Sequence, residues 1–105
     1  MKVSVTKQAR ADIAQAAEWY ERRTEGAGEK FLDQVEQALE KIALAPSAYR
    51  KVTADNRRCN LEKFPYALWF KIEGEAIVVG CLHAKRSPVL AKERGAGVRE
   101  MQKPD

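Results

Sequence analysis

This sequence is poor in the residues on which small-protein chemistry is most often built. It holds one histidine and two cysteines in 105 residues. No CxxC or HExxH spacing, no GxxxxGK[ST] loop and no Gly-x-Ser-x-Gly elbow occurs, so zinc, P-loop nucleotide and serine-hydrolase chemistries have no anchor. Gly95-Ala96-Gly97 is too short, and too far from a strand-to-helix turn, to form a nucleotide loop. No cofactor and no metal is implied. No stretch approaches the roughly 20 apolar residues of a membrane helix, and MKVSVTKQAR lacks the apolar core of a secretory signal. The expectation is a cytoplasmic protein with no membrane association. Cys59 and Cys81, without such a signal, are a poor disulfide framework and read as buried free thiols.

What is present is the balance of an ordinary folded domain, with 45% hydrophobic and 32% charged residues. A chain of 105 residues encloses one modest core, so residues 1–105 read as a single domain without internal repeats. A formal net charge of +4 is compatible with an acidic partner, nucleic acid or polypeptide, without choosing between them.

Along the chain, Val3 and Val5 alternate with Lys2 and Ser4 as a short strand, and Thr6 is placed to cap a helix. From Lys7 to about Arg23, Ala9, Ile13, Ala16, Ala17 and Tyr20 fall on one stripe at helical spacing. Gly26-Ala27-Gly28 breaks the pattern. A second apolar stripe of Phe31, Leu32, Val35, Leu39 and Ile42 follows until Pro46 stops the helix near Ala45. The segment from Pro46 to Asn56 reads as a surface loop. Strand-like pieces then lie near Arg58 to Glu62, Tyr66 to Glu73 and Ala76 to His83, with Glu73-Gly74-Glu75 as a hairpin turn. The predicted class is α+β, in the order β-α-α-β-β-β: a helical hairpin packed on a small, mainly antiparallel sheet. The tail from about Val89 reads as a short frayed helix or a flexible end.

The candidate chemistry gathers at the end of the last strand. His83 is the one imidazole available for acid–base work near neutral pH, and Lys85 and Arg86 stand beside it. Arg57 and Arg58 lie on a neighbouring strand, and alternation sends one to each face. Together these groups could neutralise a phosphodiester while an imidazole moves the proton of an attacking 2′-hydroxyl. The bland alternative is a histidine bonded to backbone at a strand end within a solvated basic rim. Trp19, on the flank of the first helix, reads as a core-edge aromatic or as a binding anchor.

These motifs occur in an order that resembles the RelE/ParE superfamily of small bacterial toxins. From Val3 to about Pro88 the likeness runs through an opening strand, a helix with Ala9, Asp12, Ile13 and Trp19-Tyr20, and a second helix from near Phe31 to Pro46. It continues through Arg57-Arg58, Phe64-Pro65-Tyr66, and a last strand ending in His83 with Arg86-Ser87-Pro88. The resemblance implies the toxin of a type II toxin–antitoxin module of the plasmid-stabilisation type, which arrests growth and is neutralised by a cognate antitoxin. A RelE-like member would cleave mRNA on the ribosome, with Arg58 (or Arg57), His83 and Arg86 as its catalytic cluster. A ParE-like member would poison DNA gyrase without being a nuclease, and Trp19, Arg57, Arg58, Lys85 and Arg86 would bind target or antitoxin. Nothing after His83 is aromatic, whereas RelE-like nucleases commonly carry a tyrosine near the C-terminus. With the helical hairpin and the His-x-x-Arg-x-Pro ending, this favours the ParE branch. A third reading keeps the fold as a non-toxic antitoxin-binding module.

Overall fold

The computed structural model describes residues 1–85. The element order is β1 (Val3–Val5), α1 (Lys7–Arg23), α2 (Ala27–Leu44), a 3-10 turn (Pro46–Ala48), β2 (Lys51–Thr53), β3 (Asn56–Asn60), β4 (Tyr66–Glu73) and β5 (Glu75–His83). All five strands form one sheet in the order β1-β5-β4-β3-β2. β1 runs parallel to β5 and every other pair is antiparallel. This is the expected α+β arrangement of a helical hairpin on a mainly antiparallel sheet, with one strand added.

Helix α1 starts where the sequence places it, because Thr6 Oγ1 accepts from the Ala9 N–H at 3.1 Å and satisfies one of the first-turn donors. Its stripe of Ala9, Ala16 and Ala17 is buried, and these small residues let the helix lie close to its neighbours. The turn into α2 is clipped from α1. Glu21 accepts from the N–H groups of Gly26 and Gly28, each at 3.0 Å, so an acid on one helix caps the next and its pKa is lowered by those two bonds. Gly26 takes φ 86°, the left-handed region that favours glycine. At Gly28 a Cβ would stand 2.7 Å from the Ala17 carbonyl, so the helices approach there only without a side chain. Helix α2 thus begins a turn before Phe31.

Phe31, Val35 and Ile42 of the second stripe are buried, but Leu32 is 43% exposed and Gln34 is buried in its place. The apolar stripe is centred on positions 31, 35, 38 and 42, and Leu32 lies one residue round the helix, on its outer edge. The expected surface loop from Pro46 to Asn56 also needs correction. It contains the short edge strand β2, joined to β3 through a turn at Ala54, whose φ of 46° is unusual for a residue other than glycine.

Both helices cover one face of the sheet. That side packs Phe31, Val35, Ala38 and Ile42 against Cys59, Leu68, Phe70, Ala76, Val78 and Cys81. The opposite side carries Ala67, Trp69, Ile77, Val79 and Leu82. Pairing of Trp69 with Gly80 but Phe70 with Val78 leaves Val79 as an extra residue, a bulge in β5. Cys59 and Cys81 are both free and buried. Each is registered to Leu68 from opposite sides, so a whole strand separates them, about 9–10 Å, beyond the Cα separation a disulfide spans.

Candidate functional site

The sheet ends in an aromatic knot that sets the site. Phe31 stacks with Tyr20 at 5.5 Å between ring centroids and meets Phe64 at 5.2 Å and Tyr66 at 5.3 Å edge-on. Such pairs fix ring orientation as well as burying area. Tyr66 then meets His83 at 5.2 Å, so the histidine is held by the same stack that joins the helices to the sheet.

His83 Nδ1 accepts from the Lys85 N–H at 3.2 Å. This is close to the bland reading, with a backbone N–H in place of the carbonyl. On one side His83 borders a cleft of about 330 Å³ between α1 and β5, lined by Asp12, Gln15, Ala16, Trp19, Tyr66, Cys81 and Leu82. On the other it borders a hollow of about 300 Å³ whose walls include Arg58, Asn60, Phe64, Tyr66, Trp69 and Leu82.

The sequence-predicted residues divide between these two depressions. Arg58 pairs in register with Trp69 and lies over its ring at 5.6 Å, on the sheet face away from the helices. Register places Tyr66 and His83 on the helix side, so Arg58 and His83 line one hollow from opposite faces. Arg57 does not join them. It points to the helix side, donates to the Tyr49 carbonyl at 2.6 Å and lies 3.5 Å from that of Ser47, which makes it a tie for the 3-10 turn. Lys85 is exposed at the end of β5 and contributes its backbone N–H to His83. Trp19 is 47% exposed on the rim of the α1–β5 cleft, edge-on to Tyr20 at 5.0 Å, with Arg23 over its ring at 4.0 Å. Arg86 lies outside the described residues, as does the tail from Val89.

Asp12 is the contributor that site reasoning missed. Its carboxylate accepts from the Cys81 N–H at 3.0 Å, where β5 runs on past its last pairing with β1 at Val78. The available signal was an acid at position 12 amid the small apolar stripe Ala9, Ile13 and Ala16, where only a partner makes a charge tolerable. Burial, with Asp12 nearby, pushes the Cys81 thiol up to about 12, which keeps it protonated and inert. Burial likewise raises Cys59, which shares a hydrogen bond with Tyr49. Among the described residues no group of three His, Cys, Asp or Glu side chains could hold a metal. No helix there is long and apolar enough to cross a membrane.

No curated protein matches the chain. Among solved structures it is similar to a chain from the chromosomal ParDE TA system of P. aeruginosa, with a TM-score of 0.60 at 21% identity, over 79% of this chain and 95% of that one. A likeness at that identity speaks for the fold. Residues 3–88 match the family model described as the ParE toxin of the type II toxin–antitoxin system parDE. The strand–hairpin–sheet order, the Trp19-Tyr20 pair and the His83 strand end all lie within that match, and the chain belongs to the ParE toxin family of type II toxin–antitoxin systems.

Proposed function

We propose that this toxin acts in the cytoplasm on DNA gyrase, that it acts by binding, and that a cognate antitoxin encoded with it holds it inactive. The observation that carries this reading is the dispersal, among the described residues, of groups a ribonuclease would have to converge. Arg57 is spent on loop carbonyls, Arg58 is stacked on Trp69 on the outer face, and His83 sits on the helix side bonded to backbone. A phosphoryl-transfer site needs its cations and its proton carrier around one phosphate. A gyrase poison needs a shaped surface and no such convergence. Membership of the ParE family, named for toxins of parDE modules, supports the same choice.

The second reading, ribosome-dependent cleavage of mRNA, rests on the one hollow that Arg58 and His83 both border. The deciding assay is supercoiling by purified gyrase with and without this protein, read also for trapped double-strand breaks. The expected result is inhibition that added antitoxin reverses, and that a folded His83→Ala variant retains. Active gyrase in the presence of folded, antitoxin-competent protein would overturn the gyrase reading. Loss of toxicity in folded His83→Ala would favour the nuclease.

A further inference from the structure

The end of β5 that carries His83 is laddered on one side only. β1 pairs with β5 from Ala76 to Val78, and among the described residues no strand takes its place beyond that point. The ladder to β4 is interrupted at the same place, because Val79 bulges between the Phe70–Val78 and Trp69–Gly80 pairs. From Gly80 to His83, the described strands therefore hold β5 through β4 alone. A bulge adds twist, and a strand paired along one edge follows that twist more easily than one paired along both. Any such movement shifts the imidazole at the strand's end.

Helix α1 supplies the second attachment. Where β1 ends, the Thr6 N–H still donates to the Val78 carbonyl at 3.0 Å, and three residues further along β5 the Asp12 carboxylate accepts from the Cys81 N–H at 3.0 Å. The N-cap of α1 and then a side chain from its second turn thus carry on the edge that β1 leaves. Cys81 belongs to the core under the helices, so its N–H has a steep cost if that acceptor is removed. Two residues on, the Tyr66 ring at 5.2 Å and the Lys85 N–H at 3.2 Å orient the His83 imidazole. Those contacts turn the ring, whereas the Asp12 bond places the backbone that bears it. We infer that Asp12 is the positioning residue of this strand end: its carboxylate stands in for the missing length of β1 and sets where His83 is presented. The strand end is built this way whichever target it meets, gyrase or ribosome-bound mRNA.

A single histidine makes the test direct. In the full chain, NMR gives one set of imidazole ring-proton resonances, displaced by the neighbouring Tyr66 ring, and the Cys81 amide proton reports on its own bond through hydrogen exchange. Asp12→Ala should move the His83 resonances toward those of an unstructured chain and speed exchange at Cys81 about tenfold or more relative to Leu68 in the middle of β4. Asp12→Asn keeps an acceptor oxygen at the same reach and should preserve both signals. Thr6→Ala removes the cap of the same helix while leaving the Asp12 bond in place, so it should lower the urea midpoint without displacing His83. The unmodified chain supplies a measurement that needs no variant to fold: its Cys81 amide should exchange as slowly as the amides of β4. Fast exchange there would overturn the inference, and so would unmoved His83 resonances in folded Asp12→Ala. Equal displacement of His83 by Thr6→Ala would do so too, and would assign the effect to helix stability.

Discussion

The two faces of this sheet are buried to a similar degree by unlike means. On the helix side the apolar positions of β3, β4 and β5 meet two amphipathic stripes and the aromatic knot around Phe31, and polar contacts stay at its margin, as with Asp12 and Arg57. On the outer side the apolar centre is smaller, and the buried set includes Lys71 and Asn56, whose Oδ1 has no hydrogen-bond partner among the described residues. The helix side is specified by shape and the outer side partly by satisfied charge. Alternation therefore says which residues share a face, while the cover decides whether that face is wet.

Breaking the helix side should have the largest effect. Phe31→Ala removes a fully buried ring that touches Tyr20, Phe64 and Tyr66, and should cost about 3–5 kcal/mol in urea unfolding. A loss under about 1 kcal/mol would mean the knot collapses around the gap and holds less of the core than its contacts indicate. The outer face should behave as an ion pair does. Glu73→Gln leaves the Lys71 ammonium buried without its anion and should cost about 2–3 kcal/mol, whereas the double change with Lys71→Met should recover most of that loss. Equal stabilities of the single and double variants would show that the pair is not coupled. Arg58→Ala should cost about 0.5–1 kcal/mol through its lost contact with Trp69, because that contact lies at the edge of the face.

The smallest effect concerns the helical cover itself. Glu21 has a folded pKa lowered from 4.5 by its bonds to Gly26 and Gly28, so its contribution is present above that value and is lost as pH falls through the lowered one. Thermal unfolding measured from about pH 6 down to about pH 3 should show part of the acid loss missing in Glu21→Gln. Parallel curves for the two proteins would show that the clip adds nothing to stability.

Much of the helix side was legible in the sequence because its elements are long and periodic. Both helices, the Thr6 cap, β4, β5 and the Glu73-Gly74-Glu75 turn follow from spacing and turn chemistry. β2 was hidden because its turn places an alanine, Ala54, where a left-handed backbone ordinarily advertises itself with glycine or asparagine. Leu32 was hidden by the width of its stripe, which left an apolar residue at the edge without saying which edge turns inward. At the site, His83 and Trp19 stood out as rare residues. The separation of Arg57 from Arg58 was legible as alternation, but the capture of Arg57 by the Tyr49 and Ser47 carbonyls was not, since it depends on where the preceding turn is folded back. The role of Asp12 was hidden for the same reason: its partner is a backbone group 69 positions away.

The bulge at Val79 bears on how related chains should be aligned. Because Phe70 pairs with Val78 and Trp69 with Gly80, deleting Val79 would restore an unbroken ladder and leave Cys81, Leu82 and His83 opposite their present partners. A gap of one residue at this point would then be silent for the geometry of the strand end. A gap one place further along, between Gly80 and His83, would turn the histidine to the other side of the sheet.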